Sequence, residues 1–170
     1  MKNRVLENLF KKRISSPLGS FTLLASSKSL VGLVWGAGSV REKQLVARAI
    51  NAKSPILELA TIQLSEYFLG KRTSFDLPLD FQGTRFQVSV WKALLRIPFG
   101  KTWSYSELAK AAKSPRAFRA AGSANSQNPL SIIVPCHRVI SKSGGLAGYA
   151  AGKSAKAFLL NHEGVKVKCA

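Results

Sequence analysis

Cysteine is scarce in this sequence, with only Cys136 and Cys169 among 170 residues. Two cysteines, one of them near the C-terminus, cannot form a disulfide framework, so a small disulfide-stapled secreted fold is excluded and a reducing compartment is expected. Structural zinc needs four ligands, usually in two close pairs, and two cysteines plus two histidines without that spacing predict no metal site. Cys136 is therefore predicted to carry a free thiol.

Long apolar runs are also missing. No run reaches the roughly 18 residues that a membrane-spanning helix needs, and the first residues lack the continuous apolar segment of a signal peptide. Because 46% of the residues are nonetheless hydrophobic, the chain can bury a core. We expect a cytoplasmic protein without membrane attachment, nucleoid-associated in a prokaryote or nuclear in a eukaryote.

Acidic residues are few, 8 against 26 basic ones, and the formal net charge is +18. Residues 1–80 carry 12 basic and 6 acidic side chains, a net charge of +6. Residues 81–170 carry 14 basic side chains and only two acids, Glu107 and Glu163, a net charge of +12. This imbalance predicts a polyanionic partner, and nucleic acid is the first candidate. General surface basicity that serves solubility is the alternative.

The first half has a mixed α and β pattern. Residues 20–26 and 30–36 are β-rich runs that predict a hairpin, and "KKRIS" predicts an earlier strand. Residues 40–50 have helical spacing. The polar, turn-rich residues 71–84 predict a domain boundary near residue 80, which gives domains 1–80 and 81–170.

Residues 54–70 predict the better helix of this half. Ser54 suits the cap, Pro55 suits the first turn and Gly70 suits the end. An apolar residue at every fourth position predicts one buried face, made of Ile56, Ala60, Leu64 and Phe68.

The second half predicts three helices before the cysteine. The first covers 84–100, with Thr84 as cap. The second covers 104–112, where Ser104 and Glu107 make a capping box.

The third predicted helix covers 115–125, with Ser114 as cap and Pro115 at its first position. The tight break before it predicts a helix-turn-helix whose second helix carries Arg116 and Arg119 towards DNA. An ordinary helical hairpin is the alternative.

Residues 128–140 follow as a loop and then an apolar extended run interrupted at Pro135. Residues 141–154 predict a glycine-rich loop, and residues 154–164 predict a final helix.

The pentapeptide "PCHRV" carries the clearest chemical signal. A cysteine nucleophile reacts as the thiolate, so it needs a neighbouring base, and that base needs an orienting group. His137 adjoins Cys136, although adjacent side chains diverge, so a bridging water is expected between them. Glu163 is the expected orienting acid because Glu107 already serves as a helix cap. A structural cysteine and a solvated acid are the alternatives.

Three ordered segments carry a resemblance to a known family. They begin at residues 84, 114 and 148 and read "TRFQVSVWKALLRIPFGKTWSYSELA", "SPRAFRAAGSANSQNPLSIIVPCHRVI" and "GYAAGKSAKAFLLNHEG". Together they resemble the O6-alkylguanine-DNA alkyltransferases over roughly residues 80–165. The first half is similar to the variable N-terminal domain of that family in length and pattern.

The resemblance implies an α+β fold, with a small α/β ribonuclease-H-like N-terminal domain and a mainly helical, winged-helix-like C-terminal domain. It also implies a reaction. An alkyl group on O6 of guanine, or on O4 of thymine, in double-stranded DNA would pass irreversibly to the protein's own cysteine, once per monomer and without a cofactor.

The catalytic roles that the resemblance implies fall on five residues. Cys136 is the nucleophile, and His137 takes its proton through water. Glu163 orients His137. Tyr105 donates a proton to the leaving guanine, and Asn128 braces the active-site turn.

Base-binding roles are implied for a second group. Arg119 fills the gap left by a flipped base, and the carbonyl of Val139 accepts the guanine amino group. The backbone at Tyr149 and Ala150 contacts the base oxygen, and Lys156 lies near the substrate pocket.

Three other classes of protein remain as alternatives. A non-catalytic lesion sensor of the alkyltransferase-like kind lacks the cysteine, so Cys136 argues against it. A helix-turn-helix transcription factor has no use for "PCHRV". A thiol hydrolase turns over and does not need so basic a site.

Overall fold

The computed structural model describes residues 8–36 and 38–167, so Cys169 lies outside the described residues. The chain divides into two compact units between Phe81 and Gln82. The first unit is built on a small sheet and the second is mainly helical, so the predicted α+β class is confirmed. No helix among the described residues is long and apolar enough to cross a membrane.

A four-stranded sheet forms the centre of the first unit. Its strands run in the order β3-β2-β1-β4. The predicted hairpin is confirmed, because β1 pairs antiparallel with β2 and β2 pairs antiparallel with β3, while β4 joins β1 in parallel. The strands are β1 (Phe10–Ser16), β2 (Gly19–Ala25), β3 (Leu30–Trp35) and β4 (Ile50–Asn51).

Two helices complete the described part of this unit, α1 (Val40–Arg48) and α2 (Pro55–Phe68). Ser54 stands at the predicted cap position of α2, but its hydroxyl makes no capping hydrogen bond. Gly70 follows the helix with φ +71°, a left-handed conformation that glycine adopts at no steric cost.

The buried face of α2 is only partly the predicted one, since Ala60 and Leu64 are buried as predicted. Ile56 and Phe68 are only half-buried. A strict four-residue repeat drifts around a helix of 3.6 residues per turn, whereas alternating steps of three and four stay on one side. The fully buried apolar positions follow that alternation: Leu57, Ala60, Leu64 and Tyr67.

Four helices and a pair of two-residue strands make up the described part of the second unit. Among them α3, α4 and α5 pack on one another. The strands β5 and β6 are parallel, with Trp103 opposite Val139. The elements are α3 (Arg85–Leu94), β5 (Trp103–Ser104), α4 (Tyr105–Ala111), α5 (Phe118–Ser126), β6 (Val139–Ile140) and α6 (Gly152–His162).

Local sequence signals place the starts of α3 and α4. Thr84 and Gln87 form a capping box at α3, and the predicted Ser104–Glu107 box is present at α4. The predicted helix over 84–100 ends early, at Leu94. Pro98 cannot donate a helical hydrogen bond and restricts the residue before it, so the chain leaves the helix through short bonds from Arg96 and Ile97.

The predicted start of the third helix, α5, is wrong. The break covers residues 112–117 rather than two residues, and Ala117 is the cap position. Lys113 adopts φ +59°, and Ala117 donates to the carbonyl of Ser114. Pro115 therefore occupies a turn, which suits its fixed φ as well as a first helical position does. Arg116 lies in that turn and not on α5.

Candidate active site

The segment before Cys136 is a compact turn, not the predicted extended run. Asn128 Nδ2 donates to the carbonyl of Val134 at 2.7 Å, and its Oδ1 accepts from the amide of Leu130 at 3.0 Å. The amide of Val134 donates to the carbonyl of Leu130. Asn128 thus closes the turn from inside the protein and sets the direction in which the chain enters Cys136.

Ile132 shows how tightly this turn is constrained. It adopts φ +75° although it is β-branched and completely buried. Left-handed backbone is costly for such a side chain and persists only where the surrounding contacts impose it. This conformation is the reason the apolar run "SIIV" folds back instead of extending.

Cys136 opens a single 3₁₀ turn, Cys136–Arg138, and only 3% of it is exposed. Its Sγ lies 3.8 Å from the hydroxyl of Ser131, and its carbonyl accepts from Asn125 Nδ2 at 3.4 Å. Burial raises the pKa of the thiol, against the opposing effects of Asn128, Ser131 and the charge of Lys156. The resting thiol is therefore protonated at neutral pH and needs a base to react.

His137 follows Cys136 in the chain and is fully buried. Its Nε2 lies 2.8 Å from Oε1 of Glu163. Burial lowers the pKa of the imidazole, and the opposing effect of Glu163 does not reverse this. A neutral imidazole beside a carboxylate carries its proton on Nε2, so Nδ1 holds the lone pair. Nδ1 has no hydrogen-bond partner among the described residues, which leaves it as an available base.

Arg138 binds the carboxylate of Glu163, which in turn bonds to His137. Its guanidinium donates to Oε2 of Glu163 at 2.8 Å and to Oε1 at 3.0 Å, and its third nitrogen donates to the carbonyl of Ile97 at 2.6 Å. The amide of Gly100 also donates to Glu163 at 3.3 Å. Burial raises the pKa of Glu163, but the hydrogen bonds from His137 and Arg138 outweigh it and lower that pKa to about 2.

Because the imidazole is neutral, Arg138 is the cation that keeps Glu163 ionised. The sequence reasoning missed this residue although it stands inside "PCHRV". The scarcity of acids in the second half was the available signal, since a buried arginine needs an anion and Glu107 is engaged as a cap.

Lys156 is a second buried cation near the thiol. It is fully buried on α6, and its Nζ donates to the carbonyl of Val139 at 2.5 Å. Burial lowers the pKa of Lys156 to about 8, although the charge of Cys136 acts to raise it. The ammonium is therefore still protonated at neutral pH and favours a thiolate at Cys136.

Tyr105 is the first residue of α4 and is half-buried. A Cβ at Gly122 would lie 3.4 Å from its ring, at van der Waals contact distance, so α5 packs closely against the tyrosine at this position. Burial raises the pKa of the phenol, and the charge of Cys136 adds to this effect. Tyr105 therefore remains a proton donor across the neutral range.

The remaining expected site residues lie in surface segments. Arg116 and Arg119 are exposed, in the turn before α5 and at its second position. Tyr149 is half-buried and Ala150 is exposed, in the loop before α6. The amide of Gly152, the first residue of α6, donates to the carbonyl of Tyr149.

The structure thus connects some of the expected site residues to the cysteine and places others in surface segments. Hydrogen bonds or electrostatic effects connect Asn128, Lys156 and Tyr105 to the cysteine. His137 follows the cysteine in the chain and bonds to Glu163, and the carbonyl of Val139 accepts from Lys156. Arg116, Arg119 and Ala150 are exposed, and Tyr149 is half-buried in the loop before α6. The residues that the sequence did not single out are Asn125, Ser131 and Arg138.

Within the described residues no group of three or more histidine, cysteine, aspartate or glutamate side chains is placed to hold a metal ion. A buried cysteine followed by a neutral histidine, in a strongly basic and mainly helical unit, is the arrangement expected of a protein whose thiol acts on a polyanion.

Comparison with known proteins identifies the family. Residues 85–165 match the DNA-binding domain of 6-O-methylguanine DNA methyltransferase, and residues 9–81 match its ribonuclease-like domain. The chain belongs to this family, and the resemblance read from the sequence is confirmed.

Individual relatives cover nearly the whole chain. A methylated-DNA–protein-cysteine methyltransferase of Methanosarcina barkeri is 48% identical over 150 residues, 88% of this chain and 94% of that protein. The constitutive enzyme of that name from Bacillus subtilis is 50% identical over 127 residues, 74% of this chain and 77% of that protein. A crystal structure of Mycobacterium tuberculosis OGT in complex with DNA is similar with a TM-score of 0.82 and 43% identity, covering 91% of this chain and 92% of that one.

Proposed function

We propose that this protein repairs O6-alkylguanine in DNA by transferring the alkyl group irreversibly to its own Cys136. Membership of the family supports DNA repair by alkyl transfer to a cysteine. The observation that carries the assignment to Cys136 is its position in the second unit, buried beside a neutral His137 that Glu163 orients. O4-alkylthymine presents a similar alkyl–oxygen bond and is proposed as a second substrate.

The reaction begins with removal of the thiol proton. The proton passes from Cys136 through a water molecule to Nδ1 of His137, whose other nitrogen is already held by Glu163. The imidazolium that forms lies against an anion, while the thiolate is favoured by the nearby ammonium of Lys156. Arg138 keeps the carboxylate ionised and in place.

Alkyl transfer then exchanges one bond for another. The thiolate sulfur attacks the alkyl carbon, the bond between that carbon and O6 breaks, and its electron pair stays on the purine. The hydroxyl of Tyr105 donates to a ring nitrogen of the departing guanine and stabilises the charge. Because the thioether is not hydrolysed, each protein molecule acts once and needs no cofactor.

The target base must leave the DNA stack to reach a cysteine that is 3% exposed. Arg119 is proposed to fill the gap, and Arg116 to bind a phosphate from the turn before α5. The carbonyl of Val139 has a second lone pair beside the one that Lys156 occupies, and that pair is proposed to accept the guanine amino group. The backbone at Tyr149 and Ala150 is proposed to contact the base oxygen.

Two further features follow from this arrangement. One chain supplies every proposed catalytic group, so the proposed reaction needs only a monomer. The proposed partner of the protein is double-stranded DNA that contains alkylated bases, so the protein is proposed to work where the chromosome lies, at the nucleoid of a prokaryote or in the nucleus of a eukaryote.

Intact-protein mass after mixing with a duplex that carries one O6-methylguanine tests the proposal. We expect one methyl group to replace one hydrogen, to map to Cys136 and to saturate at one per molecule, with no change in a Cys136→Ala control. An unchanged mass with retained binding to the lesion would instead place the protein among damage sensors.

A further inference from the structure

The start of α5 presents an exposed aromatic ring that the reaction described above does not use. Phe118 is the first residue of the helix and is 48% exposed, next to Arg119. The guanidinium of Arg119 lies over its ring, 5.8 Å from the ring centroid. An isolated exposed apolar residue is ordinary on a protein surface, but this one is paired with the cation proposed to enter DNA.

The rest of the exposed face of α5 carries only short side chains. Beyond Arg119 its exposed residues are small: Ala120, Ser123 and Ser126. Small side chains let the helix backbone approach DNA closely, so Phe118 and Arg119 are the two side chains that project from this face.

Charge around Phe118 indicates what covers the ring. Lys113 and Arg116 lie exposed in the turn that leads into α5. Exposed cations bind phosphates, and between the phosphates of a duplex lie the apolar faces of sugars and bases. Apolar side chains inserted at a base step are a recognised way in which proteins hold DNA open.

We propose that Phe118 and Arg119 form a two-residue wedge, in which Arg119 occupies the gap left by the flipped nucleotide and Phe118 packs against the neighbouring base step. This inference rests on the proposed function. In the free protein the ring holds the guanidinium by a cation–π contact. When Arg119 enters the DNA, the face of the ring is released and its apolar surface is buried against the duplex.

The two members of the wedge have different physical signatures. An arginine that neutralises a phosphate or lies in the DNA releases counterions, so its removal lowers the salt dependence of binding. A phenyl ring releases none, so its removal weakens binding equally at every salt concentration. Stacking is lost stepwise with side-chain size, which predicts an intermediate effect for leucine.

Equilibrium binding to an O6-methylguanine duplex, measured in a Cys136→Ala background at several salt concentrations, tests the wedge. Phe118→Ala should weaken binding about 10-fold without changing the salt slope. Phe118→Leu should be intermediate. Phe158→Ala is the matched control, since Phe158 is an exposed aromatic of the same unit, 38% exposed on α6, and it should stay within about two-fold.

A double-mutant cycle with Arg119→Ala separates direct contact from an effect through the arginine. If Phe118 touches DNA, Phe118→Ala weakens binding in the Arg119→Ala background as well. If Phe118→Ala no longer weakens DNA binding in the Arg119→Ala background, the ring only positions Arg119 and the proposal is wrong. Equal DNA affinities of Phe118→Ala and Phe158→Ala would also overturn it.

Methyl transfer by the protein with Cys136 intact separates this inference from the proposed function. Absence of transfer in the unsubstituted protein refutes the function. Normal transfer together with unaltered binding by Phe118→Ala refutes only the wedge.

Discussion

Arg138 and Glu163 form a bidentate ion pair in the interior of the second unit, with nitrogen–oxygen distances of 2.8 and 3.0 Å. The same carboxylate lies 2.8 Å from Nε2 of His137. Glu163 is thus shared between a permanent cation and a base. The arginine offsets the negative charge that would otherwise raise the pKa of His137, so the imidazole is oriented without becoming protonated.

Replacing Arg138 should therefore change the pH dependence of transfer as well as its rate. Without the guanidinium, the charge of Glu163 acts on His137 alone and raises the imidazole pKa. A protonated imidazole cannot accept the thiol proton, so the rate rises with pH through that pKa. We expect the midpoint of this rise to move upward by about one unit in Arg138→Met. Single-turnover rates across pH measure it.

Two variants control this experiment. Arg138→Lys keeps the charge but not the planar fork, so its midpoint should lie between those of Arg138→Met and the unsubstituted protein. Arg96→Met removes an exposed arginine of the same unit and should leave the profile unchanged. A uniform loss of rate with an unshifted midpoint would assign Arg138 a purely structural role.

Glu163→Gln should cost both transfer and stability. The variant leaves Arg138 buried without an anion. The pKa of Glu163 is about 2 in the folded protein against an ordinary 4.5, so its ionisation stabilises the fold above pH 4.5. That contribution, about 3 kcal/mol from the pKa difference, is lost as pH falls from 4.5 towards 2.

Thermal melting across pH measures this effect. The melting temperature of Glu163→Gln should lie well below that of the unsubstituted protein at pH 7, and the gap should narrow in acid. Glu107→Gln, which removes the exposed capping acid of α4, is the control and should change melting little at any pH. A gap that stays constant down to pH 2 would contradict the proposed ionisation.

Parts of this fold could be predicted because their signals are local. The hairpin follows from two β-rich runs, and the start of α4 follows from Ser104 and Glu107, which satisfy each other's backbone amides. Glu163 was identified by elimination, because the second half of the chain has only one other acid. The position of Glu163 beside His137 agrees with that reasoning.

Other parts depend on tertiary contacts and were missed for that reason. Pro115 suits a helix start and a turn equally, so the residue pattern could not decide where α5 begins. The left-handed backbone of Ile132 runs against the local preference of a β-branched residue and exists only because Asn128 and the core impose it. The burial of Arg138 becomes visible only once α6 brings Glu163 to it.

Asn128→Ala should destabilise the protein through the active-site turn. The asparagine satisfies the carbonyl of Val134 and the amide of Leu130, both inside the protein. The buried amide of Leu130 would lose its partner, whereas the carbonyl of Val134 keeps the bond from the amide of Cys136, so we expect a loss of about 1 to 3 kcal/mol. Chemical unfolding measures the change in free energy.

Asn161→Ala provides the matched comparison. Asn161 likewise forms hydrogen bonds through both the oxygen and the nitrogen of its side-chain amide, but at an exposed position. It accepts from the amide of Val167 at 3.0 Å and donates to the carbonyl of the same residue at 3.3 Å. Water can replace those bonds, so the change should stay below about 1 kcal/mol. Equal losses in the two variants would mean that burial of the turn contributes nothing.

Tyr105→Phe should slow alkyl transfer without weakening DNA binding. The ring and its packing against Gly122 remain, and only the hydroxyl proposed to donate to the leaving guanine is lost. A donor made available in the transition state is worth about 10- to 100-fold in rate, so the first-order transfer rate at saturating DNA should fall by that factor while affinity stays constant. Tyr67→Phe, in the first unit, should leave the rate unchanged. A weaker affinity at an unaltered rate in Tyr105→Phe would move this residue from catalysis to binding.

The pH dependence gives a second check on Tyr105. The pKa of Tyr105 is raised above its ordinary value of 10. The transfer rate of the unsubstituted protein should therefore show no decline from tyrosine ionisation below pH 9.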